Sequence, residues 1–173
     1  MVNRRILVAG IGNIFLADDG FGCEVVRRLT AEPLPDGVEL VDYGIRGMHL
    51  AFDLLNGYDA LVIVDAAPRG GNPGDLSVLE VGPDDLGTGE LDAHGMEPTA
   101  VLGSLGSLGG QLPRTLIVCC EPAETQERIG LSAAVAAAVP SAVSLVRELL
   151  EGELGLALPA SPHDTASSPV PTA

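Results

Sequence analysis

Three residues far apart in the chain, Asp19, Asp65 and His94, are of types that together do metal chemistry. Two carboxylates and one imidazole suit a divalent ion such as zinc, nickel, iron or manganese and leave coordination positions open. A metal held that way polarises a water or a carbonyl and so promotes hydrolysis. Each residue also has a plainer use. Aspartates cap helices and close Asx turns, and a loop histidine is ordinarily solvated. Asp65 resists the plain reading most, because it ends the apolar run ALVIVD at 60–65. A carboxylate closing a buried strand is costly to desolvate without a partner. His94 lies in DAHGMEP, at 92–98, within a long polar loop over 82–97. Loops of that length inside compact domains are often functional. The other two histidines carry less. His49 stands four residues before Asp53, which predicts a solvated His/Asp pair, and His163 lies near the C-terminus. Asp18, next to Asp19, reads as the N-cap of the helix that follows.

The elements that would position these groups follow from periodicity. RILVA at 5–9 is a short apolar strand, and the glycine-rich run GIGNIFLADDGFG at 10–22 leads from it into a helix over 20–30. Phe21, Val25 and Leu29, with Val26 beside them, share one face of that helix. GVELVD at 37–42 is the second strand; a glycine-containing turn at 43–47 opens a second helix with Met48, Ala51, Phe52 and Leu55 as its apolar stripe. ALVIVD is a third strand, buried on both faces. LSVLEV at 76–81 alternates and reads as a half-exposed edge strand, whereas TLIVCC at 115–120 is continuous and buried. Helices follow at 99–108, with Pro98 in the first turn, and at 131–150.

Strands alternating with helices predict a doubly wound α/β fold: a mostly parallel five-stranded sheet with helices on both faces, three layers in all. Right-handed crossovers make strands one and three neighbours. Asp19, Asp65 and Asp42 then reach one rim, at the carboxyl ends of the strands, where such sheets place their chemistry. The expected division is a single domain over 1–155 and a disordered Pro/Ser/Ala-rich tail over 156–173.

Composition narrows the classes of function. The 173 residues carry a net charge of −15, and every basic residue is arginine. Such a body repels phosphate backbones and anionic lipid surfaces, so neither nucleic acid nor membrane is an expected partner. No apolar stretch reads as long enough to span a bilayer. Arg4 and Arg5 before ILVAGIGNIFLA imitate a signal peptide, but Gly10, Gly12 and Asn13 interrupt its apolar core. Cys23, Cys119 and Cys120, odd in number and two of them adjacent, make no disulfide framework and fit a reducing cytoplasm.

The ordered set GIGNIFLADDGFG, VDYGIRG, LVIVDAA and DAHGMEP resembles the hydrogenase maturation endopeptidases, over nearly the whole chain to about residue 150. The resemblance implies an endopeptidase of the same α/β fold. It would remove a C-terminal extension from the large-subunit precursor of nickel–iron hydrogenase, once nickel has been inserted. The family's metal-contacting positions fall on Asp19, Asp65 and His94, the residues already grouped by their chemistry. Asp42 and Asn13 are expected to contact substrate, Asp42 in a supporting role rather than as a ligand. The metal implied is the nickel of the precursor, with zinc or another divalent ion able to bind the isolated enzyme. A monomer is expected. Some relatives carry Glu where this chain has Asp19, and the family's DGGT turn is here Asp42-Tyr43-Gly44-Ile45.

Three other readings compete. A spore germination protease shares the fold and the loop pattern, but DAHGMEP favours the hydrogenase type. A peptidyl-tRNA hydrolase also has a GxGN loop, but needs a His and Asn after it and a basic surface. A dinucleotide-binding module would want glycine at Phe15 and would set its phosphates against Asp18 and Asp19.

Overall fold

The computed structural model of the protein describes residues 3–86 and 98–156. His94 therefore lies outside the described residues, as does most of the tail. Five strands form one sheet: β1 (Ile6–Ile11), β2 (Val38–Gly44), β3 (Ala60–Ala66), β4 (Leu76–Val81) and β5 (Arg114–Cys120). Their spatial order is β2-β1-β3-β5-β4, with only β4 antiparallel to its neighbour. Strands one and three are adjacent, as the crossover rule requires.

Pleating sends alternate residues to opposite faces and builds two cores. Ile6, Val8, Val62 and Val64 pack under α1 (Phe21–Leu29) and α4 (Ala133–Gly152). Leu7, Ala9, Ile11, Leu61 and Ile63 pack under α2 (Gly47–Leu54) and α3 (Pro98–Ser107). The expected α1 stripe is the buried one: Phe21, Val25, Val26 and Leu29 are all in the core. LSVLEV is the half-exposed edge, and TLIVCC is buried along its length after Arg114.

Two expectations are corrected. The apolar stripe of α2 is not Met48, Ala51, Phe52 and Leu55; of these only Ala51 is buried. The buried face is Gly47, Leu50, Ala51 and Leu54. Gly47 sets this phase, since a Cβ there would stand 2.7 Å from Val101 Cγ2 on α3. The second correction concerns α4, whose 20 residues and mean hydropathy of 1.5 are long and apolar enough to cross a bilayer. Its Val135, Val139, Ala142, Val146 and Leu150 are instead buried on the sheet, so α4 is a core helix of this fold.

Candidate functional site

The loop after β1 owes its glycines to close approach. Gly12 has φ +140°, and a Cβ there would fall 1.8 Å from the Asp19 carbonyl oxygen. At Gly22, a Cβ would meet the Val64 oxygen at 2.1 Å and the Ile11 oxygen at 2.6 Å. Gly22 thus lets the start of α1 rest on the ends of β1 and β3. Between these glycines runs a 3-10 turn, Ala17–Gly20, which packs against β3.

That packing carries Asp19 to the rim where Asp65 stands one residue before the end of its strand. Gly10 is level with Asp42 on one side and with Val64 on the other, so Asp65 and Asp42 flank the end of β1. Asp19 is half-buried, and its Oδ2 accepts the backbone N–H of Asn13 at 2.8 Å. Asn13 in turn accepts the Phe15 N–H on its side-chain oxygen at 2.9 Å. Asp65 is buried beside Cys119. Asp42 is exposed and closes an Asx turn, its Oδ1 accepting the Gly44 N–H at 2.9 Å. Pleating places Asp42 on the α1 face of the sheet and Asp65 on the α2 face, so the two do not act as one pair. Among the described residues no three His, Cys, Asp or Glu side chains gather as a metal-binding group.

Asp18 is not the N-cap of α1. Gly20 holds that position, without a side-chain cap. Asp18 is fully buried and reaches a segment more than a hundred residues away. Its Oδ2 accepts from the N–H groups of Ala123 and Glu124, at 2.8 and 3.0 Å, and from the Ser132 hydroxyl at 2.9 Å. Its Oδ1 accepts the Ser132 N–H at 2.7 Å. Burial alone would push this carboxyl up, but the Ser132, Glu124 and Ala123 amides outweigh it and hold the group below its usual range. Backbone bonds complete the junction, from Ala17 N–H to Arg128 O at 2.7 Å and from Arg128 N–H to Phe15 O at 2.9 Å. The loops at 13–20 and 121–132 are therefore one clip.

Two further carboxylates have structural partners. Glu121 accepts the Arg69 N–H at 2.7 Å and ties down the loop after β3. Asp53, expected to pair with His49, accepts the Tyr43 hydroxyl at 2.6 Å, and no ion pair joins it to His49. All three cysteines are free and buried. Burial, followed by the nearby Asp42 and Asp19, pushes the Cys23 thiol up to about 12. Cys120 is pushed up to about 11, again mainly by burial, and Cys119 is raised by burial and by Asp65. Thiols held neutral in this way are poor nucleophiles. What stands at the carboxyl ends of the strands is Asp19, half-buried, and Asp65, buried.

The chain is similar to proteins of one family. A family model described as hydrogenase maturation protease matches residues 23–149. The hydrogenase 2 maturation protease of Escherichia coli K12 is 37% identical over 147 residues, covering 82% of this chain and 88% of that protein. The hydrogenase expression/formation protein HupD of Rhizobium leguminosarum is 32% identical over 170 residues, covering 96% of this chain and 83% of its own. Among solved structures, the hydrogenase maturating endopeptidase HybD from E. coli superposes with a TM-score of 0.77 at 32% identity, covering 93% of this chain and 99% of that one.

Proposed function

The chain belongs to the hydrogenase maturation protease family and is a peptidase, and from that premise we propose that it cuts the C-terminal extension from a nickel-loaded hydrogenase large-subunit precursor. The observation that carries this reading is the meeting of the Asp19 turn with the Asp65 end of β3 on one rim. In this reading Asp19 and Asp65, with His94, bind the nickel that the precursor brings. Nickel is thus part of the substrate. Zinc or another divalent ion would take the same donors in the isolated enzyme. Asp19 keeps lone pairs for the ion beside the one bond it accepts from Asn13. Asn13 and Asp42 then flank the polypeptide next to the metal.

Holding nickel fixes the nearby peptide bond and turns an encounter into an oriented reaction. Hydrolysis adds water across that bond: its hydroxyl goes to the carbonyl carbon, the C–N bond breaks, and the proton goes to the leaving amine. The metal supplies polarisation of the water or the carbonyl. With the extension gone and the metal closed over in the product, the enzyme loses its handle and dissociates. We propose that it does this as a monomer in the cytoplasm, where the three free cysteines would stay reduced.

The test is a processing assay on a co-expressed precursor, with and without nickel, reading the product's C-terminus by intact mass. Nickel-dependent loss of one defined peptide is the expected result. His94→Ala, Asp19→Asn and Asp65→Asn should abolish processing in a folded protein, whereas His49→Ala should be nearly silent. A folded, fully active His94→Ala variant would overturn nickel recognition through these three residues.

A further inference from the structure

A groove of about 530 Å³ opens beside the rim, between the loop at 13–20, α1 and the start of α4. Asp42 and Cys23 line it next to Asp19, whose charge reaches the Cys23 thiol. From there it runs past Ile14, Ile129, Leu131 and Val139. Ile14 is 50% exposed and Ile129 is 74% exposed, on the two arms of the clip that Asp18 fastens. The charges around the groove cancel. Arg27 and Arg28 both pair with Glu24, at 2.6 and 3.2 Å, and Asp42 on the same lining brings the formal sum of charges to zero. In a protein of net charge −15, a neutral and apolar channel is a local exception. It favours an uncharged apolar chain, since a charged one would lose hydration against the apolar lining of Ile14, Ile129, Leu131 and Val139 with no net counter-charge around it.

We propose that this groove docks an apolar, uncharged stretch of the substrate polypeptide adjoining the scissile bond. This rests on the reading of the chain as a precursor-processing peptidase. Ala17 and Gly20, on either side of Asp18 and Asp19, line the groove, so an extended chain that reaches Asp19 would also lie in it. The clip holds Ile14 and Ile129 in place before substrate arrives, so little ordering is needed on binding. Metal recognition then fixes where the chain is cut, and the groove decides which chain is held there.

The experiment measures binding and cleavage separately. Precursor affinity is taken by fluorescence anisotropy, and kcat and KM come from the processing assay. Ile14→Ser and Ile129→Ser remove apolar contact from exposed positions and leave the core untouched. Each should weaken precursor binding about tenfold and raise KM by the same factor, with kcat within twofold. Leu108→Ser, which removes an exposed leucine at the opposite end of the sheet, should change neither. Unchanged affinity in the Ile14→Ser/Ile129→Ser double variant would overturn the groove while leaving the peptidase reading intact. Binding that depends on both isoleucines, with no cleavage of nickel-loaded precursor, would keep the groove and overturn the cleavage reading. Wild-type protein that fails to bind precursor at all would overturn both.

Discussion

Replacing Asp18 with Asn changes one atom and should cost about 2–3 kcal/mol of stability. The carboxylate accepts four hydrogen bonds and donates none. An amide oxygen can keep the Ala123 and Glu124 donors, but the amide nitrogen then faces the Ser132 N–H, a donor against a donor. That loses one bond outright and takes the charge from the others, which are worth roughly 1.5–3 kcal/mol each when the acceptor is ionised. With a urea slope of about 2 kcal/mol/M for a domain of this size, the midpoint should fall by about 1–1.5 M with the slope unchanged. The pH dependence has a fixed sign. The folded carboxyl titrates below its ordinary value of 3.8, so its stabilisation is complete above that value and is lost as the pH falls through the lower, folded one. The gap between wild type and Asp18→Asn should therefore be full at pH 7 and close in acid. A midpoint within 0.3 M of wild type (roughly the scatter of such fits), or a gap that widens in acid, would refute the account of the clip.

Gly22→Ala should destabilise by about 3 kcal/mol, because its methyl would sit 2.1 Å from the Val64 oxygen and neither central strand can retreat. Gly106→Ala, an exposed position inside α3 with open space around it, should stabilise by about 0.8 kcal/mol. Urea midpoints of the two variants check both signs. Iodoacetamide at pH 8 should leave the folded protein unmodified by intact mass over a period that fully alkylates it in urea, because all three thiols are buried and raised. Rapid labelling of folded Cys23 would contradict its assigned environment.

The sheet was legible because its strands differ in kind. β3 up to Asp65 and β5 from Leu116 are continuous apolar runs and β4 alternates, so centre and edge could be told apart before any contact was known. The rim followed from strand ends and crossover handedness alone. The phase of α2 was not legible, since apolar residues surround that helix. Met48, Phe52 and Leu55 offer a stripe as plausible as Leu50, Ala51 and Leu54, and the choice depends on Gly47 meeting a side chain of α3. The expected His49–Asp53 pair failed for a related reason: the nearest partner in sequence lost to a buried tyrosine hydroxyl.

Asp18 and Asp19 show the same limit at the site itself. The two side chains are identical, adjacent and in one turn, and local rules assign the first of them to the nearest free helix N–H groups. The fold divides them by burial. The inward carboxylate must find enough donors to offset its desolvation, and the loop at 121–132 supplies four. That segment has no periodicity to announce it; only Ser132 before an apolar run marks the end of it as a helix cap. Among the described residues the half-buried neighbour accepts one bond, from the Asn13 backbone N–H. The side chain of Asp18 adds four bonds to the backbone bonds that join this turn to the loop at 121–132, and so fixes the backbone from which Asp19 projects. In the proposed function Asp19 must act together with groups from two other segments, and a buried aspartate beside it supplies the rigidity that this requires.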